Sequence, residues 1–176
     1  MEPDTRLKPD NSTKSISILL VDDNLDHLFL AQKAMEEAGF QADTAASGAE
    51  ALKQLFSKSY DAVALDYAMP GMNGLEVLQQ IARQGLGIPV VIVTGAGSEK
   101  IVMEAMKAGA ADYIVKGGDY LKILPSVFSR VIETAQLKKA AKWGEDALQE
   151  SEGKYRALVH NANEAIVVVR NGLVKF

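Results

Sequence analysis

Four apolar runs in this chain of 176 residues end on side chains that can do chemistry. ISILLV runs into Asp22-Asp23, AVAL into Asp66, IPVVIV into Thr94 and DYIV into Lys116. Three carboxylates gathered in one place repel one another and resist ionising together unless a cation joins them. A hard, oxygen-seeking Mg²⁺, held by one or two carboxylates with several waters retained, meets that need. Lys116 adds a fixed positive charge. An acidic metal site faced by a hydroxyl and an ammonium suits an anion with several oxygens, and phosphoryl is the natural candidate. An aspartate can itself accept a phosphoryl group as an acyl phosphate. The protein's share of such a transfer is to position groups and to neutralise charge on the equatorial oxygens. In that scheme Asp66 is the nucleophile, Asp23 with Asp22 assisting holds the metal, and the Ala68 carbonyl in the following loop completes its shell. Thr94 and Lys116 bind the phosphoryl oxygens.

These side chains meet only if the elements beneath them converge. Residues 16–21 and 88–93 are apolar and rich in β-branched types, as strands buried on both faces require. Residues 41–46 form a weaker strand, and 62–65 and 112–115 are two more. Between them lie helical patterns. Leu25, Leu28, Phe29, Ala31, Met35 and Ala38 recur at helical spacing up to Gly39. Ser47-Gly-Ala-Glu50 and Asn73-Gly-Leu-Glu76 are capping boxes, opening helices that reach about Lys58 and Gln84. A further helix runs from about Ser98 to Gly109, and a long one starts near Leu121. Five strands each followed by a helix call for helical crossovers and therefore a parallel sheet. The expected fold is α/β, a flavodoxin-like doubly wound sheet of order 2-1-3-4-5. Its ligands bind beyond the carboxyl ends of the strands, at the switch point beside strands 1 and 3. The reactive residues end strands 1, 3, 4 and 5, whereas strand 2, at the edge, ends in alanines.

Composition narrows the function classes. An apolar content of 48% with 24% charged residues permits a substantial core. A net charge of −4 lends no support to nucleic-acid binding, which calls for a basic face. With no cysteine there are neither disulfides nor thiolate metal sites, which fits a reducing compartment. No run is long enough to span a membrane, and the first residues lack the apolar segment of a signal peptide. A cytoplasmic protein is the expectation, with no nucleic-acid or membrane partner.

The stretches LLVDDN, ALDYAMPGMNG, VIVTGAG and ADYIVKG, in this order, resemble those of the receiver domain of two-component response regulators, over roughly residues 15–140. The resemblance implies that Asp66 is the phospho-acceptor, Asp22 and Asp23 the acidic pair, Thr94 the switch hydroxyl and Lys116 the family's lysine. Tyr113 matches the aromatic that moves inward when Thr94 engages the phosphoryl group. The implied donor is a phosphohistidine on a sensor histidine kinase or phosphotransfer protein. One departure stands out: receivers usually carry proline after the lysine, whereas this chain has Gly117-Gly118, which tolerate unusual backbone angles without locking them.

The ends of the chain read differently. Residues 1–14 are expected to be a disordered leader. Beyond the fifth helix, for which Leu124, Val127 or Phe128, Val131, Ala135 and Lys138 supply the packing face, residues 141–158 form a helical linker. Ala141, Leu148, Tyr155 and Leu158 leave it a thin apolar stripe. Such a linker is either solvated or a parallel coiled coil joining two copies of the chain. In residues 159–176 two apolar runs flank Asn171-Gly172, the strongest short hairpin signal. This stretch resembles the truncated start of a PAS-like sensor domain, and its Ile-Val-Val-Val edge offers a second route to a homodimer. His27 and His160 are both read as structural, His27 on the exposed side of the first helix.

Two other function classes compete with the phospho-acceptor. A pseudo-receiver, binding without being phosphorylated, normally lacks one of the acceptor Asp, the Thr or the Lys, and none is lost here. Phosphatases with an aspartate nucleophile carry an Asp-x-Asp motif, but here the second position is Ala68. The chain is accordingly read as a non-enzymatic acceptor with at most self-phosphorylation and self-dephosphorylation.

Overall fold

Five strands line up in the order β2-β1-β3-β4-β5, and every neighbouring pair runs parallel. In this computed structural model, residues 15–95, 99–161, 168–170 and 173–175 are described. The expected leader over residues 1–14 lies outside them. The strands are β1 (Ser17–Val21), β2 (Gln41–Ala45), β3 (Ala62–Asp66), β4 (Val90–Thr94) and β5 (Asp112–Val115). Between them come α1 (Leu25–Glu37), α2 (Gly48–Ser57), α3 (Gly74–Arg83) and α4 (Glu99–Lys107), and α5 (Tyr120–Asn161) follows. The doubly wound sheet is the one expected. Asp66 and Thr94 close their strands rather than following them, and the Ser98 start proposed for the fourth helix lies outside the described residues.

Side chains alternate across a strand, so each buried strand feeds two cores. Leu19, Val21, Val63, Leu65, Val90 and Ile92 face α2 and α3, meeting Leu55, Val77 and Ile81. Ile18, Leu20, Ala64, Val91, Val93 and Ile114 face the other way, meeting Leu28 and Met35 of α1 and Leu124, Phe128, Val131 and Ile132 of α5. Phe128, rather than Val127, is the fully buried member of that face. Ala135 is half-buried and Lys138 exposed, so the packing face ends earlier than expected and gains Ile132. On α1 the helical spacing held two faces together. Leu28 and Met35 go into the core, while Leu25 and Phe29 remain exposed.

The helix starts are set by their caps. Asn73 Oδ1 accepts from Glu76 N while Glu76 Oε2 accepts from Asn73 N, a complete capping box. At α2 the reciprocity is broken. Ser47 Oγ accepts from Glu50 N, but the Glu50 carboxylate reaches one residue further back, to Ala46 N.

Contacts divide the chain into Met1–Glu133 and Thr134–Phe176. Within the second unit, Leu137, Trp143 and Leu148 on α5 are exposed, and Lys139 Nζ lies over the Trp143 ring. Two short strands, β6 (Val168–Arg170) and β7 (Leu173–Lys175), pair antiparallel with Val169 opposite Val174. They flank Asn171-Gly172 as the hairpin signal required, although those two residues lie outside the described ones. No helix among the described residues is long and apolar enough to cross a membrane.

Candidate functional site

Parallel strands put all their carboxyl ends on one rim, and the reactive residues gather there. Asp22 follows β1 and accepts from Asn24 N at its Oδ1. Asn24 in turn caps α1, accepting from Asp26 N and His27 N, so this acidic turn is built into the helix start. Asp66 ends β3, and its Oδ2 accepts from Ala68 N at 2.9 Å. The loop beyond it turns through Gly71, at φ +78°, and returns to Gly74, whose N–H donates to Tyr67 O. Thr94 ends β4 fully buried, and its carbonyl accepts from Lys116 N at 2.7 Å. One backbone bond thus fixes the lysine's origin beside the threonine.

Lys116 Nζ crosses to the acidic side. It lies 2.7 Å from Asp22 Oδ2 and forms an ion pair with Asp66 Oδ1. Burial pushes the Asp66 carboxyl up, Lys116 pulls it down and Asp22 pushes it up again; the net shift is upward. Burial lowers the Lys116 ammonium, but its bonds to Asp22 and Asp66 outweigh that and raise it overall. Asp22 and Asp66 are buried and Asp23 is exposed, and one carboxylate oxygen from each lies within 4.8 Å of the others. This all-oxygen donor set, open to solvent on the Asp23 side, fits a hard divalent cation that keeps part of its water shell.

A model of the response regulator receiver domain matches residues 18–127, more than half of the chain. The chain belongs to this family. Among relatives of the receiver domain, the transcriptional regulatory protein ZraR of Salmonella typhimurium is 31% identical over 153 residues, covering 87% of this chain and 35% of the relative. The chain spans only 25% of ZraR from Klebsiella oxytoca. Among solved structures, the receiver domain of the Francisella response regulator 1452 is 25% identical with a TM-score of 0.64, covering 68% of this chain and 98% of that one. The response regulator protein TrrA of Thermotoga maritima, solved in complex with Mg²⁺ and BeF, is 33% identical with a TM-score of 0.60. That match covers 66% of this chain and 98% of TrrA.

The receiver domain brings Asp22, Asp23, Asp66 and Lys116 together as expected, with Thr94 buried at the adjoining strand end. Tyr113 stands apart, 42% exposed on the edge strand β5. Ala68 enters through its N–H to Asp66. Sequence reasoning missed His27. Its Nδ1 lies 3.4 Å from both Lys116 Nζ and Asp22 Oδ2, so it borders the site rather than facing away. The signal was available: Asn24 is the N-cap of α1, so His27 falls in the first helical turn, next to the acidic strand end. Tyr120 was also missed; burial pushes its phenol up. With Asp22, His27 and Leu124 it lines a cavity of about 20 Å³. Glycine after Lys116 gives the backbone the left-handed turn at Gly118, φ +49°, that leads to Tyr120. The side chain of His160 lies outside the described residues.

Proposed function

We propose that the chain is a phospho-accepting receiver whose acceptor is Asp66. The observation that carries this reading is the Asp66 carboxylate, buried at a strand tip and bridged by Lys116 to Asp22, with Asp23 beside them. An oxygen of Asp66 attacks the phosphorus of a phosphohistidine on a sensor kinase or phosphotransfer protein. The P–O bond forms as the P–N bond breaks, and the departing imidazole keeps the electron pair. Asp22, Asp23, Asp66 and the Ala68 carbonyl would hold Mg²⁺, which when bound offsets negative charge on the phosphoryl oxygens. Lys116 pairs with those oxygens, and the Thr94 hydroxyl is the donor that engages them on the β4 side. Tyr113 follows Thr94 inward, which passes the state of the site to neighbouring surface. TrrA's complex with Mg²⁺ and BeF supports this assignment by similarity.

In this reading the receiver occupies residues 15–140, residues 141–158 are a helical linker that pairs two copies of the chain, and residues 159–176 resemble part of a PAS-like sensor domain. The exposed apolar residues of α5 after Thr134 and the β6–β7 pair support that division. The protein would act in the cytoplasm, with no turnover of small substrates. ZraR is named a transcriptional regulator, but the chain matches 35% of it, so a nucleic-acid partner is no part of the proposal.

The test is intact mass after incubation with acetyl phosphate, with and without Mg²⁺, beside Asp66→Ala. A single Mg²⁺-dependent adduct absent from the variant is the expected result. An adduct at unchanged level on Asp66→Ala would place the acceptor elsewhere. No adduct and no beryllofluoride binding would point to a pseudo-receiver.

A further inference from the structure

Lys116 carries three N–H bonds, and three side chains stand ready to accept them. Asp22 Oδ2 at 2.7 Å and Asp66 Oδ1 are two. The third is His27 Nδ1, 3.4 Å away. An ammonium has no lone pair, so in this contact Lys116 donates and the imidazole nitrogen accepts. This contact needs the ring proton on Nε2; with the proton on Nδ1 the ring would instead donate to Asp22 Oδ2, also 3.4 Å distant. In the Nε2–H form the ring acts on the carboxylates only through the ammonium between them.

The ring is placed with some care. Asn24 Oδ1 accepts from His27 N at 3.1 Å, which makes His27 the third residue of α1 and sets its phase on the helix. The imidazole is 42% exposed, so it is not a packing element of the core. Lys116 comes from the opposite side, after β5, on a side chain with four rotatable bonds. Both carboxylates draw its head toward the strand tips, and His27 is the contact that anchors it from α1.

We propose that His27 is a positioning residue for Lys116: it accepts the ammonium's third N–H and holds the head group in bridging position as charge passes from Asp66 to the phosphoryl oxygens. The inference rests on the reading of Asp66 as acceptor. Once the acyl phosphate forms, Asp66 no longer presents a full carboxylate charge, and one of the two anionic anchors of Lys116 is weakened. The bond to His27 is unaffected by that change and keeps the ammonium near the new oxygens.

The test compares wild type, His27→Leu and His27→Asn in the whole chain, by the initial rate of the phosphoryl adduct from acetyl phosphate with Mg²⁺. Leucine keeps bulk but offers no acceptor, and the rate should fall about three- to tenfold, a part of the worth of a hydrogen bond to a charged donor because the contact is long. The amide oxygen of asparagine can take the same N–H, and should bring the rate back to within about twofold of wild type. Thermal midpoints should be the same for all three, since a merely structural role would move stability and would not separate asparagine from leucine. A leucine variant as fast as wild type, or an asparagine variant as slow as leucine, overturns the proposal and leaves Asp66 as acceptor. Absence of any adduct on wild type overturns the acceptor reading and this inference with it.

Discussion

The backbone oxygen of Asp66 lies 2.3 Å from the point where a Cβ on Gly74 would stand. Tyr67 Cα is 3.0 Å from the same point, so the first residue of α3 is pressed against the main chain of Asp66. Backbone cannot swing aside as a flexible side chain can. Gly74→Ala should therefore cost about 1–3 kcal/mol in urea denaturation and should also slow adduct formation, because the atoms that must shift carry Asp66.

Asn73 tests the same junction without a clash. Its capping box satisfies two backbone N–H groups at the start of α3. Asn73→Ala should cost about 1 kcal/mol by urea denaturation, with Asn73→Asp close to wild type.

Asp23 is the exposed member of the carboxylate cluster. Mg²⁺ at a hundredfold excess over its dissociation constant should stabilise the wild-type fold by about 2.7 kcal/mol. Asp23→Ala should lose most of that gain in a thermal melt, and EDTA should bring wild type down toward the variant.

Burial and Asp22 together raise the Asp66 carboxyl against the pull of Lys116. Between the ordinary carboxylate range and the raised value, the folded state binds more protons than the unfolded one. Without metal, stability should thus increase as pH falls through that window. Asp66→Asn should be more stable than wild type at pH 7 in EDTA, with the difference shrinking on acidification. Urea midpoints for both proteins across that range check it.

Tyr60 gives a dependence of the same sign at the far end of the scale. Its hydroxyl donates to Asp43 Oδ2 at 2.8 Å, and burial, then Asp43, pushes its phenol above the ordinary value near 10. The stability this represents is complete below the ordinary value and is lost as pH rises toward the folded one. Wild type should lose stability above about pH 10, and Tyr60→Phe should show a flatter alkaline limb in thermal melts.

The sheet order was legible because its signals were strong and redundant. Val90, Val91, Ile92 and Val93 form a β-branched run that suits a doubly covered strand, and Gly39 and Gly109 stop their helices. The four reactive strand ends were legible for the same reason, since a polar residue closing an apolar run is easy to see. What sequence concealed was phase. Leu25 and Phe29 share the helical spacing of Leu28 and Met35, yet spacing alone does not say which stripe meets the sheet. His27 is 42% exposed, as expected, but its ring also borders Lys116 and Asp22; Asn24 as N-cap fixes the start of α1, from which that neighbourhood could have been counted. Glu50 was read into a reciprocal box, but its side chain is long enough to choose between two adjacent N–H groups, and it took Ala46.

Both oxygens of the Asp66 carboxylate are engaged, Oδ2 by Ala68 N and Oδ1 by Lys116. The Asp66 carboxylate is therefore not a bare anion; it carries its own tethered counter-ion. Added salt competes with free ions by mass action, but it competes poorly with a cation fixed to the same chain and sheltered from water. On the proposed reading of Asp66 as acceptor, any phosphoryl donor, small molecule or protein, would have to displace that internal ion as well as reach the aspartate. Selectivity would then come from surfaces around the rim, while the rim itself would set how readily any donor is heard.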